Sequence, residues 1–201
     1  VWRPIFDPQG DALLPLIMGH ENAGWVEEVG KNVSGLRKGD PVILHPKIAD
    51  SHDINVRRGH DMHGDGPFPG LDSTGGYAEY LTTNQRNIVA LPQHLAPKAV
   101  AAYADAGLTA YHASKKAAQQ LLPGQYVVVI GAGGLGHIGI QVLKAMCGAE
   151  VIAVDTSDVS LALAKESGAD HLIKADGTEV EQVIDLTSGG AEIVMDYVGE
   201  K

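Results

Sequence analysis

Between about Ile17 and Gln93 the chain alternates short apolar runs with Gly, Pro, Asn and Asp punctuation. The runs are Ala23-Gly-Trp-Val-Glu-Glu-Val29, Pro41-Val-Ile-Leu-His45, Gly76-Tyr-Ala-Glu-Tyr-Leu81 and Asn87-Ile-Val-Ala-Leu91. Runs of this length bounded by turn residues predict an antiparallel β unit. Lys38-Gly39-Asp40 supplies a turn just ahead of one of them. From Ala96 to Gln120 the sequence becomes Ala-rich and helical, and from Leu122 strands and helices alternate. The apolar run Tyr126–Ile130 predicts a buried strand, and Leu135, Ile138, Val142, Leu143 and Met146 recur at helical spacing after it. A second helix is expected over Val159 to Ser167, with Leu161 and Leu163 among alanines and Gly168 as its stop. His171–Ile173, Val180–Leu186 and Ile193–Val198 then read as strand, helix and strand. The fold class is α/β. An antiparallel β domain over 1–95 leads through a helical connection over 96–121 to a doubly wound parallel domain over 122–201. Of the sheet order 3-2-1-4-5-6, strands one to four are expected.

The turn after Ile130 carries chemistry. Gly131-Ala132-Gly133-Gly134-Leu135-Gly136 sits between a strand and a helix, and Asp155 follows nineteen residues after Gly136, at the end of the next strand. Gly131 permits the tight turn, Gly133 lets the backbone approach a pyrophosphate, and Gly136 allows close contact between helix and strand. Backbone N–H groups at the helix start then meet the phosphates. A carboxylate at Asp155 accepts both ribose hydroxyls of NAD and repels the additional phosphate of NADP. Thr156-Ser157-Asp158, just beyond it, brings no Arg or Lys to a 2′-phosphate, which favours NAD again.

Composition narrows the classes. The 201 residues carry a formal charge of −10 with no basic patch, which argues against nucleic acid and anionic membrane surfaces as partners. No stretch approaches the roughly 18 apolar residues of a membrane span. The single Cys147, near a helix end, forms no internal disulfide and fits a reducing cytoplasm. The sequence opens Val1-Trp2-Arg3-Pro4, with neither an initiator Met nor a signal-peptide pattern, and reads as processed, trimmed or incomplete.

Gly19-His20-Glu21-Asn22-Ala23-Gly24, Val29-Gly30, Gly39-Asp40, Gly75-Gly76-Tyr77-Ala78-Glu79 and the Gly131–Gly136 turn follow one another along essentially the whole chain. In that order and spacing they resemble the zinc-dependent medium-chain alcohol dehydrogenases, in particular the bacterial secondary-alcohol branch. The resemblance implies a GroES-like β domain joined to a Rossmann domain, with NAD and a catalytic Zn²⁺ as cofactors. It implies that His20 is a zinc ligand, that Glu21 is the acid beside the metal, and that Asp105 is the ligand that is Cys in many members. Thr109 would pack against the nicotinamide, and Val198 and Gly199 would approach it by backbone. The nucleotide-contacting set is then Gly131, Gly133, Gly134, Leu135, Gly136, Asp155, Thr109, Val198 and Gly199. Imidazole and carboxylate are both acceptable donors to zinc.

The chain departs from the family's pattern at three places. A Cys ligand and a relay Ser or Thr upstream of His20 have no counterpart among the nineteen preceding residues. Where relatives carry a four-cysteine structural zinc, this chain has Asp50, Asp53, Val56 and Gly64, so no structural zinc is expected. His52, His60, Asp61, His63 and Asp65 make the same loop polar and solvated. The sheet's fourth strand would be left at an edge, which favours a homo-oligomer. The expected activity is zinc-assisted hydride transfer between a secondary alcohol or ketone, a small-molecule substrate, and NAD. An NAD-binding module without turnover, or a zinc-free relative like the quinone reductases, are the alternatives.

Overall fold

The computed structural model describes residues 15–199, and the chain divides in sequence between Asp105 and Ala106 into two compact units. In the first unit, β1 (Ala23–Trp25), β2 (Pro41–Leu44) and β3 (Ile88–Ala90) form an antiparallel sheet in that order, with Gly24 opposite Val42 and Ile43 opposite Val89. The hairpin between β1 and β2 is closed where the sequence places Lys38-Gly39-Asp40. Gly39 donates to the Val26 carbonyl at 2.7 Å, Val26 donates to that of Asp40 at 3.0 Å, and the Asp40 carboxylate accepts the Arg37 N–H at 2.9 Å.

Gly76–Leu81, expected as a strand, is not one. It begins as a backbone clamp instead: Gly75, Gly76 and Tyr77 donate to the carbonyls of Ile17, Gly19 and Met18 at 2.7, 2.9 and 2.9 Å. The approach is so close that a Cβ on Gly70 would lie 2.5 Å from the Gly19 carbonyl oxygen. The apolar residues of the run are spent at the surface, with Tyr77 and Tyr80 both exposed. An alternating pattern therefore arose here without sheet pairing, because the glycines were needed for close backbone packing.

The loop where relatives carry a structural zinc is held by its own side chains. The Asp53 carboxylate caps the short helix α1 (Ile54–Arg57) by accepting the Asn55 and Val56 N–H groups at 2.6 and 3.3 Å, and it also accepts that of Asp65 at 2.9 Å. The Asp65 bond is the largest of the influences that hold the Asp53 carboxyl below its ordinary range, with the Asn55 bond next. Val56 is buried and fills the space against Gly64, where any Cβ would collide with it. Asp61 is paired with Arg86 at 2.9 Å.

Two 3-10 turns, Pro97–Ala99 and Ala101–Ala104, occupy the start of the Ala-rich segment, so the helix expected from Ala96 begins later. Neither turn has a side-chain cap bond, and short 3-10 turns of this kind often precede an α-helix. In the second unit, α2 (Ala106–Ala118) precedes β4 (Tyr126–Ile130), α3 (Gly136–Met146), β5 (Glu150–Asp155), α4 (Asp158–Glu166), β6 (His171–Lys174), α5 (Glu179–Thr187) and β7 (Ile193–Asp196). The four strands are parallel in the order β6-β5-β4-β7, the expected 3-2-1-4.

Alternation along β4 and β5 feeds two cores. Val127, Val129, Val151 and Ala153 pack on one face with Ile140 and Leu143 of α3, while Val128, Ile152 and Val154 pack on the other with Ile173. Each fully buried Val, Ile or Leu contributes about 1.5–3 kcal/mol. The buried face of α3 is Gly136, Gly139, Ile140 and Leu143, rotated from the expected stripe, and Met146 is largely exposed. Glycine does not score as apolar, yet it brings the helix axis closest to the sheet. A Cβ on Gly139 would stand 2.7 Å from the Tyr197 hydroxyl, so that slot belongs to the ring. Tyr197 in turn meets the Ser114 hydroxyl at 3.2 Å, and Ser114 donates to the Gly139 carbonyl at 3.2 Å. Burial pushes the Tyr197 phenol above its ordinary pKa, against the opposing effect of the Ser114 bond.

Asp170 ties helix to sheet, accepting Lys144 at 2.8 and 2.9 Å and the Val151 N–H at 2.7 Å. Partial burial is the largest single influence and raises its pKa, but the bond and charge of Lys144, the Val151 N–H and His171 together outweigh it and hold the carboxyl low. A depressed folded-state pKa gives stability that is present above the unfolded value of about 3.9 and is lost as pH falls through the folded value. Asp170→Asn is therefore expected to lower stability at neutral pH by about 1 kcal/mol, after solvent screening, and to flatten the acid limb of a Tm-against-pH profile. An unchanged acid limb would contradict this role.

Candidate functional site

In the first unit, the backbone clamp of Gly75–Tyr77 on Ile17–Gly19 fixes the segment that presents His20. The imidazole lies edge-on to Phe68, with ring centroids 5.7 Å apart. Its Nε2 stands 3.0 Å from Oδ2 of Asp105, and both side chains are about one-third exposed, His20 at 33% and Asp105 at 30%. The two residues are 85 positions apart in sequence, yet their donor atoms converge. Zinc with ligand bonds of about 2.0–2.2 Å places neighbouring tetrahedral donors about 3.3 Å apart, so an imidazole nitrogen and a carboxylate oxygen at this separation fit one edge of such a site. Glu21 is exposed, and no cluster of three donors suited to a metal forms among the described residues. The expected trio of His20, Asp105 and Glu21 is thus brought together only as a pair.

In the second unit, the glycine turn has the required construction. Gly131 adopts φ +83° and donates to the Val154 carbonyl at 2.8 Å, which locks the turn to the neighbouring strand. A Cβ on Gly136 would strike the Gly131 carbonyl oxygen, so the helix can begin this close to the strand only with glycine there. No side chain caps the start of α3 at Leu135, and a Cβ on Gly133 or Gly134 would meet nothing within 4 Å. The glycines at these two positions therefore keep space open on the outside of the turn, as a pyrophosphate needs. His137 folds back on the turn, with Nδ1 2.7 Å from the Gly133 carbonyl.

Asp155, at the tip of β5, faces this turn. Its Oδ2 accepts the Ala132 N–H at 2.8 Å and its Oδ1 accepts the Ser157 N–H at 2.7 Å. Each oxygen holds one bond and keeps further accepting capacity, which is what two ribose hydroxyls require. At the end of β7, Asp196 accepts the N–H groups of Val198 and Gly199 at 2.8 and 3.1 Å, and the Val198 bond is the larger of the two that depress its carboxyl pKa. A Cβ on Gly131 would lie 2.5 Å from the Val198 side chain, so the glycine turn and the Val198–Gly199 segment are in contact. Thr109 sits exposed in the first turn of α2.

One feature of this site was not visible in the local sequence. Thr156-Ser157-Asp158 contains no cation, but the sheet puts Lys174 of β6 directly opposite Asp155 and joins its Nζ to Oδ1 of Asp158 at 2.5 Å. Thr156–Asp158 brings no Arg or Lys, as expected, and the cation comes instead from the neighbouring strand. Only the β5–β6 register could have signalled it.

Residues 6–93 match the alcohol dehydrogenase GroES-like domain and residues 134–201 match the zinc-binding dehydrogenase domain. An NAD-dependent alcohol dehydrogenase of Sulfolobus acidocaldarius is 38% identical over 191 residues, 94% of this chain and 54% of its own length. An alcohol dehydrogenase of Geobacillus stearothermophilus is 38% identical over 179 residues, 88% of this chain and 52% of its own. The crystal structure of the alcohol dehydrogenase from the archaeon Aeropyrum pernix superposes with a TM-score of 0.92 at 46% identity, covering 99% of this chain and 58% of that one. The chain spans about half the length of the curated relatives it matches. It belongs to the zinc-dependent medium-chain alcohol dehydrogenase family, with that family's GroES-like and Rossmann folds.

Proposed function

We propose that this chain contributes the NAD-binding half and part of the zinc half of an oxidoreductase that moves hydride between a secondary alcohol or ketone and NAD. The observation that carries this reading is the Asp155 carboxylate at the β5 tip, bonded to the glycine turn at 2.8 Å. The convergence of His20 and Asp105 at 3.0 Å supports the metal half.

When bound, zinc polarises an alcohol oxygen as a Lewis acid and NAD accepts the hydride. The residues of this chain supply position. His20 and Asp105 would hold the metal, the clamp beneath His20 fixes the imidazole's direction, and Phe68 borders it. Glu21 adjoins the ligand in sequence and is the candidate to tune the metal's charge. The N–H groups at the start of α3, framed by Gly133, Gly134, Leu135 and Gly136, would bind the pyrophosphate, and Asp155 would orient the adenosine ribose. Thr109 and the Val198–Gly199 turn are the candidates for the nicotinamide end.

No helix among the described residues is long and apolar enough to cross a membrane. With the single half-buried Cys147, this supports a cytoplasmic setting.

Two measurements test the reading together. Titration with NADH followed by fluorescence should saturate, and NADH formation from a panel of secondary alcohols should depend on added Zn²⁺. His20→Ala and Asp105→Asn should each lower bound zinc, measured by metal analysis, by at least about tenfold. Saturable NADH binding without alcohol oxidation, whatever zinc is added, would instead favour the binding module. Zinc content unaffected by either substitution would overturn the assignment of these ligands.

A further inference from the structure

β5 and β6 run parallel with Asp155 opposite Lys174, and the pairing continues to Ala175, whose N–H donates to the Asp155 carbonyl at 3.0 Å. Paired residues in neighbouring parallel strands lie about 4.8 Å apart and project to the same face. Lys174 is therefore an immediate neighbour of the residue that faces the glycine turn. Its ammonium reaches across the turn between β5 and α4 to Asp158, the first residue of that helix. Lys174 is 42% and Asp158 88% exposed, so the pair is open to solvent and to a ligand.

The charges count simply. Asp155, Asp158 and Lys174 give two carboxylates against one ammonium, a net −1 at the place where NADP would present a dianionic phosphate. An exposed ion pair of this kind is weak and easily exchanged. A phosphate group with up to two negative charges can compete for the same ammonium once its carboxylate partners are gone.

We propose that Lys174 is a latent 2′-phosphate acceptor, neutralised by Asp158, and that the Asp155–Asp158–Lys174 cluster sets the preference for NAD over NADP. This rests on the reading of Asp155 as the ribose-binding residue. Lys174 acts on specificity through charge and takes no part in the chemistry. Removing Asp155 alone brings the cluster to zero charge, while removing Asp158 as well leaves it at +1 with the cation free.

The test is a ladder of full-length variants titrated with NADH and NADPH by fluorescence and calorimetry, with thermal melts confirming that each is folded. Asp155→Ser should weaken NADH and raise NADPH affinity only slightly. Asp155→Ser with Asp158→Asn should raise NADPH affinity by a further factor of about 10 or more, the range of a charge-assisted bond. That gain should shrink as salt increases. Adding Lys174→Met to the double variant should abolish the gain. If the wild-type chain binds NADH, yet the double and triple variants bind NADPH equally, the role of Lys174 is wrong and the ribose reading stands. If the wild-type chain binds neither nucleotide, the ribose reading and this proposal fall together.

Discussion

Gly136→Ala should lower the melting temperature of the chain and abolish nucleotide binding in one step. The added Cβ would run into the Gly131 carbonyl oxygen, which is backbone and has no flexible end to swing aside. Overpacking of this kind costs about 1–3 kcal/mol. In a unit of this size that corresponds to a fall of roughly 5–20 °C. The helix start would have to retreat from the strand, and the N–H groups proposed to bind the pyrophosphate would move with it. Gly133→Ala makes the contrast. Its Cβ would meet nothing within 4 Å of protein, and Gly133 does not have positive φ, so the fold should tolerate the change. Only a ligand approaching that backbone would feel it, and NADH affinity should fall while the melting temperature stays put. Melting curves and NADH titrations on both variants decide the matter. A Gly136→Ala protein with unchanged melting and affinity would remove the packing argument, and a Gly133→Ala protein with unchanged affinity would remove the pyrophosphate from that turn.

Asp155→Asn should weaken NADH by a factor of about 10–100, the range for losing a charge-assisted hydrogen bond with its partner left in place. Asparagine keeps one accepting oxygen for Ala132 or Ser157 and cannot serve both N–H groups and two ribose hydroxyls. NADPH should be affected far less, because the same substitution removes a repulsive charge. The ratio of the two dissociation constants is therefore the informative readout. A ratio that does not move would show that this carboxylate supports the turn without contacting the cofactor.

Particular residues show why parts of the site were legible from sequence. Gly131 to Gly136 and Asp155 lie within one strand-turn-helix-strand stretch, so their relation is fixed by local geometry and a linear spacing suffices. The parallel sheet was legible for a similar reason. Uninterrupted apolar strands such as Tyr126–Ile130 must be buried on both faces, and helices between them force a parallel order. His20 and Asp105 were legible only through the family pattern, because nothing local in either segment says that the two will lie 3.0 Å apart.

Other features were misread where side-chain pattern and backbone packing diverge. Gly76–Leu81 alternates like a strand, but its backbone bonds went to Ile17–Gly19 as a clamp. The apolar stripe of α3 pointed to Ile138 and Val142, while the closest approach to the sheet runs through Gly136 and Gly139. A hydrophobicity pattern is blind to glycine, whose contribution is the absence of a side chain.

Taken alone, the chain's order of residues determined the two folds, the glycine turn and the acid that faces it, because these follow from local turn chemistry and from which strands must be covered. Tertiary structure decided which distant groups meet. It closed Asp105 on His20, filled the loop around Asp53 with Val56, and set Lys174 beside Asp155 with Asp158 as its counterion. The reason is that sheet register and backbone clamping bring together residues far apart in sequence, and electrostatic partnership depends on separation in space, where a few ångströms decide whether two charges interact.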